Sequence, residues 1–202
     1  MTTTWGAVGC PRSVFYEAPQ GRRLNVLGGY FSHGPQAGEF QFATFARVPE
    51  LQRDAAGELR STTRRPLAEV AAAHGLLEED LGIIDGEVFL GFVWQLAGRP
   101  VDAPESWRRE RPLMVVVDNY QVHRSERVRL ERRALEAADI YLVYLPSYSP
   151  ELSRIEGQWQ VTKYYGLPQR SYRTLGELKA AVERALTERR IALRLAHQAS
   201  IN

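Results

Sequence analysis

Two short apolar runs separated by one amphipathic stretch constrain this chain most. Leu113-Met114-Val115-Val116-Val117 runs without a polar residue and stops at Asp118-Asn119, while Ile140–Leu145 runs to a stop at Pro146. Continuous apolar runs of this length, bounded by turn chemistry, read as strands covered on both faces. Between them, Ser125 to Ala138 reads as a helix, with Arg and Glu outside and Val128, Leu130 and Leu135 as its apolar residues. Strand, helix, strand with a short return predicts a parallel pair joined by a right-handed crossover. The fold class is therefore α/β.

The remainder is read around that unit. Residues 13–18 and 22–31 read as extended segments joined by the turn Pro19-Gln20-Gly21, and Leu24, Val26, Gly28 and Tyr30 alternate with period two. After Gly34-Pro35, Phe40, Phe42 and Thr44 alternate again, so three antiparallel strands are expected. Residues 47–84 are charged and punctuated by Gly75 and Gly82, which reads as an insertion or mobile lobe outside the core sheet. Asp85 is better placed as the N-cap of a helix with apolar face Val88, Phe89, Phe92, Val93 and Leu96 than as an acid of a site. A helix from about Arg154 breaks near Gly166-Leu167-Pro168. A last one starts near Leu175, with Thr174 and Glu177 spaced as a capping box.

Bulk properties exclude several classes. With 202 residues the chain can bury one sizeable core. It has no run of ~18 apolar residues to span a membrane, and its first residues, Met-Thr-Thr-Thr-Trp, lack the regions of a signal peptide. The single cysteine, Cys10, forms no internal disulfide and fits a reducing, cytoplasmic setting. Net charge is only +2, but from Lys163 to Arg194 eight basic residues, Arg170 and Arg173 among them, face three Glu. That stretch suits a phosphate backbone, and it equally suits a solvated amphipathic helix.

The chemistry-bearing residues cluster after the two apolar runs. Asp118 closes the first, where sites of open α/β sheets are built. Glu156 follows 38 positions later in Leu145-Pro146-Ser147-Tyr148-Ser149-Pro150-Glu151-Leu152-Ser153-Arg154-Ile155-Glu156. Converging carboxylates can hold a hard divalent cation, which beside a basic surface suggests phosphodiester chemistry. Each acid has a plainer reading. Asp118-Asn119 is good turn chemistry, and Ser153 with Glu156 is itself a capping box.

At these residues the chain resembles the catalytic domain of DDE transposases, in the bacterial insertion-sequence branch of the mariner-like superfamily. Asp118, Asn119 and His123 match that family's first block. Leu145, Pro146, Tyr148, Ser149, Pro150, Glu151, Leu152, Ile155, Glu156, Trp159 and Lys163 match its second, whereas Ser153 and Arg154 replace the usual Asn-Pro. The resemblance covers residues 112–186, with a weaker echo at Trp5, Gly9 and Arg23–Tyr30.

The resemblance implies a ribonuclease-H-like mixed sheet flanked by helices, spanning 1–202 as a single partial domain with the insertion at 47–84. It implies Asp118 and Glu156 as catalytic and metal-binding acids for Mg²⁺ or Mn²⁺. Double-stranded DNA, as transposon ends and target, is the implied partner. Lys163, His123, Asn119, Tyr148, Arg170 and Arg173 are the candidate DNA contacts. Of these, His123 fits a helix-start histidine as well as a phosphate contact, Asn119 a plain turn, and Tyr148 a loop-shaping role. Trp159 suits a buried anchor better than a base-stacking residue. The family's first catalytic Asp lies on a central strand upstream of the Trp-x-x-x-Gly segment. No Asp precedes Trp5 here, and the first is Asp54. The expectation is a domain lacking that strand and inactive or weakly metal-binding by itself. A homodimer or an upstream transposase fragment would complete it. The rival expectation is a non-catalytic module that binds DNA or a transposase subunit. A metal-free hydrolase built on an Asp–His pair is disfavoured, because no nucleophile motif is present.

Overall fold

A computed structural model describes residues 2–4, 12–14, 22–146, 149–167 and 172–201. It is a mixed α/β arrangement in which the described strands form four separate two-stranded sheets. Strands β1 (Thr2–Thr4) and β2 (Arg12–Val14) pair antiparallel, as do β3 (Leu24–Tyr30) and β4 (Phe40–Ala46). A small hairpin follows, β5 (Leu51–Arg53) with β6 (Leu59–Ser61). Finally β7 (Leu113–Val117) and β8 (Ile140–Tyr144) run parallel in register, Leu113 opposite Ile140 and Val117 opposite Tyr144. Of the three antiparallel strands expected, β3 and β4 form and pair, while residues 15–18 of the first lie outside the described residues. β2 pairs with β1 and not with β3, and the turn Pro19-Gln20-Gly21 lies outside the described residues.

Among the described residues there are five α-helices: α1 (Leu67–Ala73), α2 (Gly86–Leu96), α3 (Glu126–Ala137), α4 (Arg154–Val161) and α5 (Leu175–Ile201). None is long and apolar enough to cross a membrane. Asp85 caps α2 as expected, its Oδ1 accepting from the Val88 N–H at 3.0 Å, and Arg53 pairs with its other oxygen. Ser125 caps α3 by accepting from the Val128 N–H at 3.5 Å. Thr174 Oγ1 accepts from the Glu177 N–H at 3.1 Å, and the Glu177 carboxylate reaches back to the Arg173 N–H at 2.8 Å. Satisfying these otherwise orphaned donors fixes where each helix starts. Ser153 departs from expectation. It precedes α4 without a side-chain cap, and the Glu156 N–H bonds the Ser153 carbonyl instead.

The β3–β4 pair is filled on both faces. Leu27, Gly29 and Phe31 face α2, whose Phe92 and Leu96 close that side. Leu24, Val26 and Tyr30 face α4 and α5 with Phe40, Val182 and Leu186. Gly28 is required on this second face, because any Cβ there would run into the Trp159 ring. The β7–β8 pair is filled on one face only. Val117, Ile140 and Leu142 pack with α2 and α3 through Phe89, Val93, Val128 and Leu135. Met114 (67% exposed) and Val116 (53%) point away from that cluster. This corrects the expectation of a strand covered on both faces. All five β7 residues are apolar, but alternation sends every second one outward, and no described element packs there. Leu130 is likewise exposed at 68%, since only Val128 and Leu135, seven positions apart, share the buried stripe of α3.

Residues 47–84 add no described strand to the larger sheets and join β4 through a parallel bridge, Leu81 to Ala46. They nevertheless carry their own packed cluster, in which Val48, Leu51, Val70, Leu76 and Leu81 meet Leu175 at the start of α5. A mostly buried ion pair, Lys179 to Asp80 at 2.9 Å, holds this cluster to α5.

Candidate functional site

Asp118 stands at the C-terminal end of β7, exposed, just after buried Val117. Its Oδ1 accepts from the Tyr120 N–H at 3.0 Å, the short-loop bond an aspartate makes at a turn. The same oxygen lies 2.9 Å from His123 Nδ1. His123 sits in the short turn Gln121–Arg124, its ring 4.4 Å from that of Phe89 and edge-on to Tyr120 at 5.9 Å. The imidazole is therefore wedged by two aromatic rings and holds the Asp118 carboxylate from one side. The second oxygen of Asp118 makes no hydrogen bond to a described residue.

Asn119 faces the other way. Its Nδ2 donates to the Leu145 carbonyl at 2.7 Å, and its Oδ1 accepts from Arg124. The Leu145 N–H in turn bonds the Val117 carbonyl at 2.9 Å. Asn119 thus ties the exit of β7 to the exit of β8 and does not touch the Asp118 carboxylate. Tyr144 completes the tie, its hydroxyl donating to the His123 carbonyl at 2.7 Å while the Arg124 guanidinium lies 5.2 Å above its ring. Arg124 and Tyr144 also line an open groove of about 210 Å³ with Val128, Arg129, Arg132 and Leu142.

Glu156 lies in the first turn of α4, half-buried, where the helix dipole favours a carboxylate. Its carboxylate makes no hydrogen bond or ion pair with a described residue. Its helix is pinned by Trp159, which packs over Gly28 and edge-on to Phe40 at 5.7 Å, and by Ile155 on the same cluster. Trp159 is thus an anchor, as its spacing suggested. Lys163 is exposed in the single π-helical turn, Thr162–Gly166, that continues α4. Trp159 is therefore turned to the core and Lys163 to solvent. Arg173 is exposed just before α5, while Tyr148 and Arg170 lie outside the described residues.

Carboxylate oxygens suit Mg²⁺ or Mn²⁺ in kind. In number they fall short. Among the described residues no three His, Cys, Asp or Glu side chains gather as a metal-holding group. Asp118 and Glu156 provide two carboxylates with unused oxygens, and no described acid stands as a third. Sequence reasoning missed Phe89, Tyr120, Arg124 and Tyr144 around His123. Phe89 was read only as core, and the others carried no spacing signal, because crossover geometry brings them together.

Residues 84–179 match the family model of the DDE superfamily endonucleases. The matched stretch opens at the α2 cap and closes in the first turns of α5, so it contains Asp118, Glu156 and all the candidate contacts named above. No curated protein and no solved structure matched the chain.

Proposed function

We propose that this chain is the catalytic portion of a DNA-strand-cleaving and strand-transferring transposase of the insertion-sequence type, incomplete by itself and working in the cytoplasm. The observation that carries this reading is the placement of Asp118. It stands at a parallel strand's C-terminal end, inside a stretch similar to DDE endonucleases. That similarity implies a ribonuclease-H-like fold, and the parallel β7–β8 unit with α3 between its strands supports it.

In this reading Asp118 and Glu156 hold Mg²⁺ or Mn²⁺. When bound, such an ion supplies an activated oxygen nucleophile and charge neutralisation at the leaving oxygen. The chain's own residues do the positioning. His123 and the Tyr120 N–H restrain one Asp118 oxygen and leave the other free. Asn119 keeps the β8 exit, and so the start of the segment leading to Glu156, in register with Asp118. Exposed Lys163 offers a point charge to a flanking phosphate of duplex DNA. Because no described acid stands as the third that the resemblance implies, cleavage by this chain alone is expected to be slight. A third acid, on a strand supplied by an upstream fragment or by a partner copy, completes the site.

The test is plasmid nicking with Mn²⁺, by the chain as it stands and with an added upstream segment that ends a strand in Asp before Trp5. Nicking that needs the segment, and is lost in Asp118→Ala and Glu156→Ala, supports the reading. Nicking that survives both substitutions overturns it. A second reading, a non-catalytic module binding DNA or a transposase subunit, is favoured by the lack of a third acid among the described residues. DNA binding that persists in both variants, with no cleavage by either form, would establish it.

A further inference from the structure

The turn after α4 holds two tyrosines in water that the fold does not use. Thr162–Gly166 is π-helical, a register that widens one turn and pushes its residues outward. Both ends of the turn are fixed. Thr162 is buried at 6% exposure and its hydroxyl donates to the Gln158 carbonyl at 2.9 Å. Gly166 sits so close to α5 that an added Cβ would lie 2.9 Å from that of Ala185, and Leu167 packs into the cluster beneath. Between these anchors Tyr164 is 65% exposed, Tyr165 is 82% exposed, and Lys163 is exposed beside them. Arg189 reinforces the seat with two hydrogen bonds to Gln158 Oε1, at 2.9 and 2.6 Å. Two exposed tyrosine rings on a doubly anchored turn, with an exposed lysine beside them, offer apolar surface and positive charge together.

We infer that Lys163, Tyr164 and Tyr165 form a stacking platform for unpaired nucleobases, with Lys163 on the adjoining phosphate; this rests on the DNA-cleaving reading above. Duplex bases already stack on one another, so exposed aromatic faces gain most from a base without a neighbour. The lysine selects a polyanionic strand over an apolar peptide. Position agrees with chemistry. Lys163 is seven residues beyond Glu156, across the end of α4 and into the π-helical turn that continues it, about 10 Å along the axis. That is roughly three nucleotide steps of ~3.4 Å. A strand whose phosphate lies at the carboxylates would thus bring its frayed or cleaved end onto the tyrosines.

The experiment compares a blunt duplex with the same duplex bearing a short unpaired overhang, by fluorescence anisotropy with the full chain. The wild type is expected to prefer the overhang. Tyr164→Ala and Tyr165→Ala should each weaken overhang binding roughly 5- to 100-fold while blunt-duplex binding holds. The Phe substitutions should retain the preference, because the ring face and not the hydroxyl does the work. Lys163→Gln should weaken both ligands and lower the salt slope by about one. Both rings are in water, so the alanine variants should melt like the wild type. Overhang binding unchanged in properly folded alanine variants overturns the inference and leaves the cleavage reading standing, as does self-association that those variants abolish. Failure of the wild type to bind either DNA overturns both.

Discussion

The β3–β4 pair, with strands of seven residues, and the β7–β8 pair, with strands of five, share one helix, α2, yet they are covered differently. The first is closed on one face by α2 and on the other by α4 and α5. The second is closed by α2 and α3 on one face, while Met114, Val116 and Tyr141 (40% exposed) stand open on the other. The fully covered pair anchors the helix that carries Glu156, and the half-covered pair ends in Asp118. Burial is thus divided unevenly between them. The sheet with more burial serves as foundation, and the sheet with an open face carries the more exposed acid at its tip.

Substitutions can break this comparison, and the largest effect is expected on the covered face of the second pair. Ile140 is fully buried against α3, so Ile140→Ala should lose about 2–5 kcal/mol in a denaturant titration. A smaller loss would mean that the inner face is loosely packed too. Next comes Gly28→Ala in the first pair, which forces Trp159 off its seat and should lose about 1–3 kcal/mol. Trimming the ring by Trp159→Phe in that background should recover part of the loss if the clash is the cause.

Asp80→Asn follows, testing whether α5 needs its ion pair to cover the first pair. Burial works to raise the Asp80 pKa, but the Lys179 ammonium and the Leu77 N–H outweigh it and hold the acid below its ordinary 3.8. A depressed acid contributes stability above its unfolded value and loses it as pH falls through the folded one. The variant should therefore be about 1–2 kcal/mol less stable at neutral pH, with the gap closing as pH falls below about 4. Burial would lower the Lys179 pKa, but Glu183 and Asp80 raise it overall. Its share is thus complete below the ordinary 10.5 and fades only as pH rises beyond that. The smallest effect is expected at Val116→Thr, within about 0.5 kcal/mol, since the side chain is already half in water. A larger cost would show that something covers this face in solution, and sedimentation of the two proteins would tell whether that is a second copy.

Much of this architecture was legible where a local rule governs it. The period-two alternation placed β3 and β4, and the apolar runs placed β7 and β8. Asp85 and Thr174 announced helix starts because a capping oxygen acts within three residues of itself. What the sequence hid depends on partners far away in the chain. Met114 and Val116 look like core residues, and the lack of a facing layer among the described residues leaves them outside. Ser153 has the spacing of a cap, but backbone geometry gives the Glu156 N–H to its carbonyl instead. Asn119 read as turn chemistry, whereas its amide closes a bond to Leu145, 26 positions on, that only parallel pairing makes possible. The positions of Asp118 and Glu156 were legible from their motif, and the aromatic wedge of Phe89 and Tyr120 around His123 was not.

Trp159 has a consequence for the two acids together. By fastening α4 to β3 and β4 it assigns Glu156 to one half of the molecule, while Asp118 belongs to the other. The gap between the carboxylates is then a readout of how the halves are docked, and an ion held by both would act as a strap across that joint. Binding and docking become two sides of one linkage. Melting temperature should climb with the logarithm of Mn²⁺ concentration once the ion is bound, and removing either carboxylate should flatten that climb without any strand being cut.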